Sequence, residues 1–63
     1  MSSLTDTEQH VVRLVAEGLT NAQVADRLYI SRRTVETHLV HVYGKLALTS
    51  RRALIDAAAA QPG

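Results

Sequence analysis

The residues best able to do chemistry stand close together: Arg33, Glu36, Thr37 and Val40. At 100° per residue, a helix puts them on one face, opposite a seam of Val35, Leu39, Val42 and Leu46 that spans only about 60°. The face offers a forked cationic donor, a carboxylate acceptor and two methyl-bearing side chains. Such groups can read base edges in a DNA major groove, which is wide enough to admit one α-helix. By periodicity alone, an ordinary amphipathic surface helix is the simpler reading. What precedes the segment reverses that preference.

Other chemistries lack their parts. His38 and His41 are three residues apart, with no thiol or carboxylate partner in the local pattern, which makes a poor metal site. His10 reads as a surface residue and His41 as exposed. Neither a Ser-His-Asp arrangement, nor a paired-carboxylate cleft, nor a glycine-rich phosphate loop is visible. The expectation is no enzyme, no cofactor, no metal and no small-molecule ligand. With no cysteine, disulfides and thiolate metal sites are excluded. No apolar run is long enough to span a membrane, and no signal-peptide core is present.

Sixty-three residues allow one small domain with a limited core. Its apolar residues are mainly Val, Leu, Ile and Ala, without Phe or Trp, which favours close-packed helices over a sheet sandwich. Net charge is only +1, but it is unevenly spread. Over residues 1–31, Arg13 and Arg27 stand against Asp6, Glu8, Glu17 and Asp26, a balance of −2. Over residues 32–52, Arg32, Arg33, Lys45, Arg51 and Arg52 stand against Glu36, a balance of +4. A basic second half suits a one-sided phosphate-binding surface, although solvated faces often carry as much charge.

The pattern predicts an all-α fold of four helices, at about 6–17, 22–28, 32–46 and 51–60, forming a bundle-like domain. Thr5 and Glu8 have the spacing of a capping box at the first helix, and Gly18 suits a left-handed stop with Leu19 folding back on the core. Thr20 or Asn21 caps the second helix, Ser31 the third and Ser50 the fourth. The inward residues expected are Val11, Val12, Leu14 and Val15, then Val24, Ala25 and Leu28, the seam of the third helix, and Leu54, Ala57 and Ala58. Residues 1–4 are expected to be a flexible start, 5–60 the domain, and 61–63 a frayed end.

The second and third helices, joined at Tyr29-Ile30, form a helix-turn-helix. Small Ala25 permits a close crossing, Ile30 plugs the turn, and Val35 packs back against the second helix. That arrangement leaves the first turns of the third helix proud of the surface.

On these residues the chain resembles the LuxR-type (FixJ- or GerE-type) DNA-binding domain of bacterial transcription regulators. The resemblance runs through Leu4-Thr5-x-x-Glu8, Val15-Ala16-Glu17-Gly18-Leu19-Thr20-Asn21 and Val24-Ala25-x-x-Leu28. It continues through Ile30-Ser31, Thr34-Val35-x-x-His38, Val42-Tyr43-x-Lys45-Leu46 and Ser50-Arg51. So many matches at correct spacing cover nearly the whole chain. The resemblance implies sequence-specific binding of double-stranded DNA as the effector domain of a transcription regulator. It also implies a third helix in the major groove, a homodimer through the fourth helix, a place in a larger regulator acting with RNA polymerase, and a bacterial cytoplasmic location, at the nucleoid when bound. Two residues depart from the family pattern. Ala47 stands where most relatives have Gly, and Gly44 where a long polar side chain is common.

Base contacts are expected from Arg33, Glu36, Thr37 and Val40, the last three favoured by the family alignment. Glu36 can accept from cytosine N4, while Thr37 and Val40 can touch a thymine methyl. Against this, Glu36 could pair with Arg32 or Arg33 one turn back. Phosphate contacts are expected from Thr20 and Asn21, at a helix start that favours anions, and from Arg32, Thr34, His38, Lys45 and Arg51; Arg52 is a lesser candidate. Tyr43 is read as core packing. Ala53, Ile55 and Asp56 lie on a second face of the fourth helix, suited to dimerisation. Two other readings compete: the promoter-reading domain of a sigma factor, which the fourth helix argues against, and a protein-interaction helix-turn-helix that has lost DNA binding. Glu36, Gly44 and the modest net charge favour the latter.

Overall fold

A computed structural model describes residues 4–60. Of the flexible start expected at residues 1–4, residues 1–3 lie outside the described residues, as does the frayed end expected at 61–63; Leu4 is half-buried and packs against the core. Within them the chain forms α1 (Asp6–Ala16), α2 (Asn21–Leu28), α3 (Arg32–Leu46) and α4 (Arg51–Ala60). No strand occurs among the described residues. Predicted and observed helices differ by one residue at the end of α1 and at the start of α2.

Each helix start is set by a short polar side chain. Thr5 accepts from the Glu8 amide at 3.1 Å while Glu8 accepts from the Thr5 amide at 2.9 Å, completing the predicted capping box. Thr20, not Asn21, caps α2, in a second capping box with Gln23 (2.9 and 3.2 Å). Ser31 accepts from the Thr34 amide and Ser50 from the Ala53 amide, both at 3.1 Å.

The exits of α1, α2 and α3 repeat one device. A residue with positive φ stands at Gly18 (97°), Tyr29 (58°) and Ala47 (56°). Its amide donates three residues back and the next amide donates five back, as in Leu19 to Leu14 (3.2 Å), Ile30 to Ala25 (3.0 Å) and Leu48 to Tyr43 (2.9 Å). This double bond satisfies carbonyls that a helix end leaves open. It also turns an apolar residue inward each time, because Leu19, Ile30 and Leu48 all pack against the core. Only the first exit uses glycine. At Tyr29 and Ala47 an L-residue holds the left-handed conformation, at about 1 kcal/mol or more each.

The core joins all four helices through Val11, Leu14, Val15, Val24, Ala25, Val35, Leu39, Val42 and Leu54. Helix α1 packs against α2, α3 and α4, and α2 packs against α3. Leu54 is the single fully buried residue of α4, so it fastens that helix. Around the core lie the half-buried Val12, Leu28, Tyr43, Leu46 and Ile55. With the α3 seam turned inward, Arg33, Glu36, Thr37 and Val40 must face outward.

Candidate nucleic-acid interface

Helix α3 presents Arg32, Arg33, Glu36, Thr37 and Val40 around one shallow, open concavity. Four of these are the residues expected to read bases. Val40 is 66% exposed and shares with Tyr29 the distinction of being a large apolar side chain left in solvent among the described residues. The Thr37 hydroxyl donates to the Arg33 carbonyl at 3.2 Å, the back-bond open to a helical threonine. Its strongest donor is thereby used within the helix. Among the described residues no ion pair within 4.0 Å engages Glu36, so the alternative pairing with Arg32 or Arg33 is not formed. Arg32 and Arg33 are exposed.

The residues expected at phosphates divide into two groups. Thr20, exposed, and Thr34, half-buried, serve as or beside helix caps, and the Thr34 hydroxyl lies 2.8 Å from that of Ser31. His38 is half-buried at the edge of α3. Arg51 and Asn21 hold each other: Nη1 donates to Asn21 Oδ1 at 2.6 Å and Nη2 to the Leu19 carbonyl at 2.7 Å. These two bonds tie the start of α4 to the α1–α2 junction, across about thirty residues of sequence. Spacing alone could not have revealed them.

Lys45 is likewise engaged inside the domain. Its Nζ donates to Glu8 Oε1 at 2.7 Å, and the Glu8 side chain is only 4% exposed. His41 Nδ1 stands 3.9 Å from Glu8 Oε2. The Lys45 ammonium and the Thr5 amide hold the Glu8 carboxyl below its ordinary value, outweighing the opposite effect of its burial. Glu8 was legible as a cap. Its second role, anchoring the C-terminal turn of α3 to α1, appears only when the two helices are packed. On α4, Ala53 and Ile55 are half-buried, and exposed Asp56 lies 3.4 Å from Arg52 Nε.

Residues 2–58 match the model of bacterial regulatory proteins, luxR family (GerE). The chain belongs to this family. A solved response regulator, ChrA of a heme-sensing two-component system, has the same fold as this LuxR-family domain. Its TM-score is 0.84 at 43% identity, over 92% of this chain and 29% of that one. An HTH-type transcriptional regulator of Mycobacterium bovis is 63% identical over 57 residues, which are 90% of this chain and 6% of the relative. The DNA-binding transcriptional activator DevR/DosR of Mycobacterium tuberculosis is 39% identical over 51 residues, 81% of this chain and 24% of the relative. The LuxR-family chain thus spans less than a third of each of these proteins, from 6% to 29% of their length. Its four helices are a LuxR-type helix-turn-helix domain of transcriptional regulators. No helix among the described residues is long and apolar enough to cross a membrane.

Proposed function

We propose that this LuxR-family chain binds duplex DNA sequence-specifically, with α3 in the major groove, as the effector domain of a bacterial transcription regulator. One observation carries the reading: an unpaired acidic group, two arginines and an exposed valine line one open face of a helix whose other face is fixed in the core. An exposed valine costs solvation in the free chain and becomes useful against a thymine methyl. Glu36, Thr37 and Val40, with Arg33, read bases. Arg32, Thr34, His38, Thr20 and Asn21 meet phosphates. Lys45 and Arg51 add positive potential while bonded to Glu8 and Asn21.

Two copies would pair through Ala53, Ile55 and Asp56 of α4, and the longer regulator would act with RNA polymerase at the nucleoid, in the cytoplasm. The test is selection of bound sites from random duplexes at two salt concentrations, for the native chain, Glu36→Ala and Arg32→Ala. Glu36→Ala should change the selected sequence. Arg32→Ala should weaken all sequences alike and flatten the salt slope by about one. A chain that dimerises but binds no duplex even at low salt is a protein-interaction module instead.

A further inference from the structure

The Asn21 amide has two chemically different ends, and the structure decides which is outward. A guanidinium only donates, so the atom 2.6 Å from Arg51 Nη1 must be the Asn21 oxygen. The amide nitrogen then points away from Arg51. It has no partner among the described residues, since Asn21 takes part in no other side-chain bond there. It also reaches solvent, since no buried side-chain nitrogen or oxygen is left unbonded. Arg51 cannot swing aside freely, because its second nitrogen holds the Leu19 carbonyl at 2.7 Å. Both acceptors facing the guanidinium are therefore tied down, and what remains exposed beside them is a pure donor, the Asn21 NH2.

We propose that Arg51 is a positioning residue for DNA binding: it fixes the Asn21 amide so that its nitrogen donates to a backbone phosphate. It does this instead of meeting a phosphate itself. The inference rests on the DNA-binding reading above and refines it, for it makes one contact out of two residues that spacing alone would count as independent. It also makes α4 a support for the phosphate contact made at α2, in addition to any role in pairing.

The experiment is a double-mutant cycle on affinity for a pool of random-sequence duplexes, with thermal unfolding of every variant measured beside it. The variants are Asn21→Ala, Arg51→Lys and the pair. Lysine keeps the charge but lacks the planar fork whose two separate nitrogens reach the two acceptors. If Arg51 acts through Asn21, each single change weakens binding several-fold and the pair weakens it no further than Asn21→Ala alone. Asn21→Asp is the control for folding. It keeps the acceptor for Arg51, so stability holds, but it removes the donor and should reduce affinity at least tenfold. Additive losses, or an Arg51→Lys chain that binds as the native one does, would overturn the proposal. If Arg51→Lys does not fold, Asn21→Asp decides alone, and unchanged affinity there refutes it. If the native chain binds no duplex, the DNA reading itself is wrong, and that outcome is seen before any variant is compared.

Discussion

Gly44 and Ala47 sit three residues apart at the end of α3, each in the place that suits the other. Gly44 is helical, and a Cβ added there meets nothing within 4 Å. Ala47 has φ 56° and ψ 42°, which an L-side chain resists. Exchanging them, as Gly44→Ala with Ala47→Gly, leaves the composition unchanged. The first change should contribute about 0.5–1 kcal/mol, the helix preference of Ala over Gly reduced by its nearness to the end. The second relieves about 1–2 kcal/mol of left-handed strain but adds about 0.4–1 kcal/mol of chain entropy to the unfolded state, for a net gain of about 0.5–1 kcal/mol. Together they stabilise the domain by about 1–2 kcal/mol. For 63 residues, with an unfolding entropy near 2.1 cal/mol/K per residue, that raises Tm by about 8–15 °C. Circular dichroism through reversible thermal unfolding measures it, with both single variants included. They share the 3.4 Å bond from the Ala47 amide to the Gly44 carbonyl, so coupling is visible as departure from additivity. A lower Tm for Ala47→Gly alone would refute the left-handed exit of α3. A lower Tm for Gly44→Ala alone would refute the open space around that face.

Further outcomes follow from the same structure. Tyr29→Gly should also stabilise, by about 0.5–1 kcal/mol in denaturant melts, because the side chain is 95% exposed and has φ 58°. Leu54→Ala should cost about 2–5 kcal/mol, a large part of a small domain's stability, and hydrogen exchange should show α4 opening first, since Leu54 is its one fully buried side chain. The Glu8 carboxyl is held below its ordinary 4.5 by Lys45 and Thr5, so the unfolded chain binds the proton more readily than the folded one. The resulting stability is complete well above pH 4.5 and is lost as pH falls through the lower, folded-state value. Plotted against pH, Tm should therefore fall in acid for the native chain and fall less for Glu8→Gln. Thr37→Val keeps a methyl group on the face while losing the back-bond to Arg33. Site selection with that variant should return the native sequence preference, and a changed preference would show that the hydroxyl is read.

Much of the fold is local and therefore legible in sequence. Thr5, Thr20, Ser31 and Ser50 mark helix starts because a side-chain oxygen satisfies an amide only two or three residues away. The α3 seam is legible because 3.6-residue periodicity sorts inward from outward positions before any partner is known. Gly18 marks a left-handed turn by its type, whereas Tyr29 does not, because an ordinary residue takes that conformation only when the packing of half-buried Ile30 after it compensates the strain. The conformation of Ala47 was likewise settled by packing, with Leu48 pulled onto the core. The readout face follows from the seam, since what is opposite a buried stripe must be exposed. What only tertiary structure decided is which polar groups are already engaged. Lys45 and Arg51 read from spacing as ligands for phosphate, yet Lys45 bonds Glu8 across 37 positions and Arg51 bonds Asn21 across 30. Sequence specifies side-chain chemistry and nearest neighbours along a helix. The partners of long charged side chains are set by how whole helices dock, and that depends on every residue of the shared core at once.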